Sequence, residues 1–238
     1  MNGRNLDLDP ALGARAAIVS PHLDDAVFSL GATIARASRL GAHVTIVTVF
    51  GGAPGLEADA GWWDRRAGFP SAEDAYAARR DEDRRACALL GADPVWLPFS
   101  DSQYGPEPDP KLVRRAVVEA ATGCDCLLLP GFPLQNPEHA WVTKVLLTRP
   151  PEVRLGLYAE QPYAWRAGRS PDVADPLRTL LSRPVTWRRI QTDTAARRRK
   201  RRAAGAYESQ LRLLGVAPVW RMTLYEARHG GEALAWIG

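Results

Sequence analysis

Cysteine is scarce in this chain of 238 residues, and the three present, Cys87, Cys124 and Cys126, remove two structural options. An odd count, with two of them one residue apart in an apolar run, suits neither a disulfide framework nor a thiolate metal site. Long hydrophobic runs are missing too: residues 16–19 and 44–50 fall far below the roughly 20 residues a membrane-crossing helix needs. Acidic positions interrupt the first thirty residues where an export signal would place an apolar block, so a cytoplasmic protein with no membrane span is expected. Net charge is small, 31 basic against 27 acidic residues, or +4. Much of that excess lies at residues 197–202, which read as a solvated or internally paired helix face, and no nucleic-acid partner is expected.

What is present is an ordinary globular balance, 46% hydrophobic and 24% charged, in a length that favours one domain over residues 1–238. Strand-like apolar runs alternate with helix-period segments. That alternation predicts an α/β fold, a Rossmann-like mainly parallel sheet flanked by helices, with a small C-terminal strand and helix extension. Strands are expected at residues 16–20, 43–50, 95–99, 125–129, 154–159 and 185–190, with a closing strand at 221–227. Helices are expected at 24–40, 72–90, 110–121 and 137–147, with one long helix at 194–214. The Gly-rich stretch 51–71, with Trp62 and Trp63 side by side, reads as an irregular loop able to cover a site.

Directly after the first strand stands Ser20-Pro21-His22-Leu23-Asp24-Asp25. In open α/β sheets ligands gather at such strand-to-helix junctions. A dinucleotide would need a Gly-rich turn here, whereas this turn offers an imidazole and two carboxylates, which favours a metal. His22 and Asp25 are spaced to aim at one point with Asp24 alongside, although Asp24 or Asp25 serving as a helix cap explains the same residues. A second cluster, Asn136-Pro137-Glu138-His139, follows the fourth strand at another helix start. His22, Asp25 and His139 together make a two-His, one-carboxylate set that leaves a coordination position open, as in catalytic zinc sites. His43 and His229 have no acidic sequence neighbour and are assigned to packing or surface.

At these two motifs the sequence resembles the PIG-L-type (LmbE-like) zinc deacetylase family. That family includes N-acetylglucosaminyl-phosphatidylinositol deacetylases and bacterial enzymes of mycothiol, bacillithiol and glycopeptide-antibiotic biosynthesis. Its His-Pro-Asp-Asp signature appears as His22-Leu23-Asp24-Asp25, and its later His-Pro-Asp-His motif as Asn136-Pro137-Glu138-His139. The resemblance implies one zinc held by His22, Asp25 and His139, with Asp24 as general base. It also implies a missing group, because Asn136 stands where the family has a His assigned to the oxyanion or the departing amine. Asn before Pro is also a good helix cap, so Asn136 is either cap or substrate contact. Arg79 matches an Arg facing substrate, with an i,i+3 pair to Glu82 as the plain alternative. Asp101 matches a residue binding sugar hydroxyls. Trp62 and Trp63 fit a platform for a sugar face or an apolar tail, or an anchor in the core. Residues 158–165 and 200–210 also look familiar and are read as structural.

The implied activity is removal of an N-acyl group, acetyl first of all, from a small-molecule amino sugar or glycoconjugate, in a protein that could form homo-oligomers. The rival readings are an amidase of the same mechanism on a thiol conjugate or other non-acetyl amide, and a metal-binding recognition module without catalysis.

Overall fold

A computed structural model describes residues 12–55, 58–168, 171–181, 185–214 and 218–237. Seven strands form one sheet, β1 (Arg15–Ser20), β2 (His43–Thr48), β3 (Asp93–Trp96), β4 (Cys126–Phe132), β5 (Arg154–Ala159), β6 (Trp187–Ile190) and β7 (Glu232–Ile237). Their spatial order is β3-β2-β1-β4-β5-β7-β6. The first five run parallel, while β7 lies antiparallel to β5 and β6 antiparallel to β7. This is the expected α/β architecture, a mainly parallel sheet flanked by helices with antiparallel C-terminal strands. Strands β1 and β4 read as continuous apolar runs because helices cover both faces of the sheet.

One face carries α1 (Asp25–Arg39), α3 (Ala72–Leu90), α8 (Thr194–Gly205) and α10 (Pro218–Arg228), which meet over a core built around Ile18, Phe28, Ile34, Ile46 and Leu90. The other carries α4 (Pro110–Ala120), α5 (Pro137–Thr148) and α7 (Asp175–Arg178), packed over Val19, Val47, Leu127, Val142 and Leu157. Helix α3 has the predicted bounds, and its ends explain why. Ser71 accepts from the backbone N–H of Asp74 at the start, and Gly91 takes the left-handed φ of 72° that ends the helix. No helix among the described residues is long and apolar enough to cross a membrane.

Three expectations need correction. The closing strand expected at residues 221–227 is instead helix α10, and β7 closes the sheet. Met222 and Glu226 are buried together there, four residues apart, which is the period of a helix. The long helix expected at 194–214 breaks into α8 and α9 (Glu208–Leu214), since the intervening Tyr207 is buried and donates its hydroxyl to Asp83 at 2.6 Å. Within the described part of 51–71 the chain forms a short helix, α2 (Trp62–Ala67), ended by Gly68. Helix α6 (Tyr163–Ala167) lies in the stretch after β5 for which no element was expected.

The chain leaves β1 towards β2 and β3 on one side and resumes at β4 on the other. The C-terminal ends of β1 and β4 therefore flank the topological switch point of the sheet, where a crevice opens. His22 follows β1 and His139 follows β4, which brings residues 117 positions apart into one crevice.

Candidate metal centre

The turn after β1 owes its shape to Ser20 more than to its carboxylates. The Ser20 hydroxyl donates to the His22 carbonyl at 2.6 Å and accepts from the Ala26 N–H at 3.0 Å, so it takes the part of a helix cap. Asp24 is thereby released: it stands at the N-cap position with φ 153° and ψ −31° and its side chain makes no cap hydrogen bond. Positive φ at a non-glycine residue costs of the order of 1–3 kcal/mol and persists where the surroundings over-determine it. Asp25 does not cap the helix either, because its Oδ2 accepts from the His22 N–H at 2.9 Å.

Three atoms converge at the crevice. His22 Nδ1 lies 3.1 Å from His139 Nε2 and 3.4 Å from Asp25 Oδ2, and His139 Nε2 lies 3.2 Å from Asp25 Oδ2. These residues form a group able to hold a metal ion. Ligand atoms about 2.0–2.1 Å from a tetrahedral zinc stand about 3.3 Å from one another, so the triangle has the size such an ion requires.

The remaining ring nitrogens decide what the triangle contains. His22 Nε2 lies 3.0 Å from Glu138 Oε2, and His139 Nδ1 makes a short contact with Glu160 Oε1. A carboxylate accepts and does not donate, so each pair holds an imidazole proton on the outer nitrogen and keeps the inner nitrogen for a metal, whose binding displaces any second proton there. Two inner nitrogens and a carboxylate oxygen then face one another, an arrangement that a cation, proton or metal, resolves. Both partners are themselves held: Glu138 Oε1 accepts from the Ser102 N–H at 2.7 Å, and Glu160 Oε2 from the Leu134 N–H at 2.9 Å.

The titration of the groups follows the same electrostatics. Burial opposes a charged His22, but hydrogen bonds and charges from Asp25 and Glu138 override it and raise its pKa well above the usual imidazole value. Burial raises Glu138, yet the bond to His22 brings it down to about 2. Asp25 is held low against burial by His139 and His22. Asp24 moves the other way, raised well above its ordinary value by burial and by the charge of Asp25. The pocket favours positive charge at its centre and disfavours a second negative one beside it.

A cavity of about 210 Å³ opens over this centre and is lined by Asp24, Arg79, Asp101, Asn136, Trp62 and Trp63 among others. Every candidate site residue except the fully buried His139 lines it. The details depart from expectation in places. Arg79 does not pair with Glu82; it reaches the fully buried Asp64 on α2, while Glu82 accepts from the N–H and hydroxyl of Ser209. Asp101 turns its carboxylate to Gln103, whose side-chain N–H donates at 2.9 Å, and burial raises its pKa. Trp62 is 60% exposed at the rim, and Trp63 is tied to Gln210 on α9 through its Nε1 at 3.1 Å, so neither is a core anchor. Asn136 Oδ1 accepts from the Glu138 N–H at 2.9 Å and so caps α5.

Residues 17–148 match the model of PIG-L, the GlcNAc-PI de-N-acetylases. The chain belongs to the PIG-L family. No curated protein matches the sequence. Among solved structures, this PIG-L protein is similar to the A40926 pseudoaglycone deacetylase Dbv21, with 28% identity, 94% of this chain and 96% of that chain covered, and a TM-score of 0.81. It has the fold of the zinc-inhibited form of teicoplanin deacetylase Orf2, with 24% identity, 93% and 97% coverage, and a TM-score of 0.80. It also shares the fold of N,N'-diacetylchitobiose deacetylase from Pyrococcus horikoshii, at 16% identity, 94% and 82% coverage, and a TM-score of 0.58.

Sequence reasoning missed Glu160, Asp64 and Tyr163, and quoted Glu138 only as part of a motif. Glu160 follows the last residue of β5, a strand end facing the crevice, which was a usable signal. Asp64 carried none, because its partner Arg79 lies on a different helix. Tyr163 was read as structural but lines the cavity. His43 and His229 lie away from the centre, the first exposed beside Asp93 and the second bonded to the Tyr225 carbonyl.

Proposed function

We propose that this PIG-L protein is a zinc-dependent deacylase that removes an acyl group, acetyl first of all, from the nitrogen of an amino sugar or a sugar-containing metabolite. One observation carries the reading: ligand atoms of His22, Asp25 and His139 converge beside a carboxylate, Asp24, that makes no cap bond. A recognition site would have no use for a strained, uncommitted carboxylate in that place. The likeness to a deacetylase of the A40926 pseudoaglycone supports a glycoconjugate substrate over a thiol conjugate.

Bound by His22, Asp25 and His139, one zinc per chain would polarise the amide carbonyl and acidify water. The chain supplies the rest. Asp24 takes the proton from the attacking water and returns it to the departing nitrogen, so the products are an acid and a free amine. Glu138 and Glu160 fix the two imidazoles in the tautomers that leave their inner nitrogens bare. Arg79 and Asp101 line the part of the cavity assigned to the sugar, and Trp62 offers a ring face at its mouth. Asn136 holds the start of α5, the helix that carries His139. We read residues 1–238 as one such catalytic domain.

The test is amine release by zinc-loaded protein from N-acetylated amino sugars and from longer N-acyl amides, with metal analysis of each variant. Asp24→Asn should keep its metal and lose about a thousandfold in turnover. A near-full rate in Asp24→Asn, or no amine released from any N-acyl amino sugar, rejects the proposal.

A further inference from the structure

Helix α3 carries a polar group on its cavity side that the proposed chemistry does not use. Tyr76 and Arg79 stand three residues apart, so their side chains share one side of the helix. Both line the cavity, as do Asp101 and Gln103. Each is nearly closed off from solvent, Tyr76 at 2% and Arg79 at 6% exposure. The Tyr76 ring is seated against that of Tyr104, with centroids 5.9 Å apart and planes at 54°.

The other polar side chains around this pair satisfy one another. Asp64 takes the Arg79 guanidinium on one oxygen and the Tyr104 hydroxyl on the other. Tyr104 Oη accepts from the Gly61 N–H at 3.0 Å, and Gln103 joins the Asp101 carboxylate to the Asp64 N–H. Apart from the ion pair of Arg79 with Asp64, two donors are left over. Tyr76 Oη and Arg79 Nε are buried and make no hydrogen bond among the described residues. Burial and the charge of Asp101 raise the Tyr76 pKa against the Asp101 N–H, itself a donor, so the phenolic proton stays in place without an acceptor. A buried donor left unmade is costly, and native proteins keep few of them. An oxygen brought into the cavity by a ligand supplies the missing acceptor. Asp64 already neutralises Arg79 and Asp101 adds a negative charge, so the place suits a neutral oxygen rather than a carboxylate or phosphate. A hydroxyl fits, because its oxygen accepts from both donors while its own proton goes to the Asp101 carboxylate.

We infer that Tyr76 is a specificity-determining residue which, together with Arg79 Nε, donates a hydrogen bond to one hydroxyl of the substrate's sugar ring. The inference rests on the amino-sugar reading above and names a contact within it. No covalent bond is made or broken at Tyr76. A hydrogen bond held alike before and during reaction acts on substrate binding and leaves turnover nearly alone. A site built to bond a hydroxyl also rejects the analogue that lacks it, since its buried donors then stay unpaired.

Tyr76→Phe keeps the ring against Tyr104 and removes only the hydroxyl. On the methyl glycoside of N-acetylglucosamine it should lower kcat/KM by about 100-fold through KM, with kcat within about threefold. Zinc content should be unchanged, and the melting temperature should not fall, because the hydroxyl removed bonds nothing in the protein. The 3-, 4- and 6-deoxy analogues of the same glycoside locate the contact. Wild type should lose about 100-fold in kcat/KM on one of them, and Tyr76→Phe less than about tenfold on that same analogue. Unchanged kcat/KM in Tyr76→Phe, or equal losses in wild type and variant on all three analogues, overturns the role. So does a lower melting temperature, which would give the hydroxyl a partner within the protein. If the wild type releases no amine, the proposed function fails by itself. Calorimetric affinity of the zinc-loaded protein for the four glycosides then decides the contact by the same comparison, and binding of none of them overturns it too.

Discussion

Helix α1 bears two groups of buried charge, one at its start and one at its middle, and they are resolved in opposite ways. At the middle, Lys200 on α8 places its ammonium 2.6 Å from Glu226, 2.6 Å from Glu232 and 3.4 Å from the Ser29 carbonyl. Glu232 also accepts the N–H groups of Ala32 and Thr33, at 2.9 and 2.7 Å. Gly31 lies beneath the Lys200 stem, where a Cβ would come within 2.9 Å of Cγ. This group carries its own cation. At the start of α1, the ligand group of His22, Asp25 and His139 holds no cation beyond a proton that His22 can take up. A buried cluster that satisfies itself holds helices together, whereas one built of converging acceptors is completed by an ion from outside.

The contrast breaks most visibly at Lys200. Lys200→Met leaves two buried carboxylates without their cation and should cost about 3–5 kcal/mol of stability in denaturant titration. Zinc affinity of the folded variant should stay near wild type, and loss of metal binding together with stability would mean that the two clusters are one unit. Glu160→Gln tests the other end. Its amide cannot fix the His139 tautomer as a carboxylate does, and zinc affinity by competition with a chelator should fall about 10–100-fold while stability without metal changes less than in Lys200→Met.

The smallest expected effect sharpens the contrast through pH. Burial outweighs the opposing charge of Lys200 and holds the pKa of Glu226 up at about 8. A folded-state pKa raised above the unfolded value means that the folded protein binds the extra proton. This stability is present in full below the unfolded pKa and lost as pH rises through that window, by about 1.4 kcal/mol per pH unit. Glu226→Gln keeps the shape and has no proton to lose, so denaturation midpoints compared between about pH 6 and pH 7.5 should flatten in that variant. An unchanged slope would assign the pH dependence to other groups.

How much could be read beforehand follows from the range of each interaction. The junction motifs were legible because a turn entering a helix sets side-chain directions within three or four residues, as for His22 and Asp25. Helix α3 was legible because Ser71 and Gly91 mark its ends locally. Helix α10 was not, since its alternating stretch became helical only where Met222 and Glu226 found buried partners. The run at 197–202 reads as a solvated or internally paired face, and which residue is the paired one, Lys200, depended on two glutamates from later in the chain. The plain alternative for Arg79, an i,i+3 pair with Glu82, gave way to partners on other helices, Asp64 for Arg79 and Ser209 for Glu82.

Residue order alone determined the alternation of strand and helix, the turn chemistry at 20–25 and 136–139, and the absence of thiolate or Gly-rich alternatives. These depend on neighbours along the chain. Tertiary structure alone decided that the two imidazoles meet, that Glu138 and Glu160 take their outer protons, and that Ser20 rather than Asp24 caps α1. The strand order brings the ends of β1 and β4 together at the switch point, and contacts across more than a hundred residues have no periodicity to announce them.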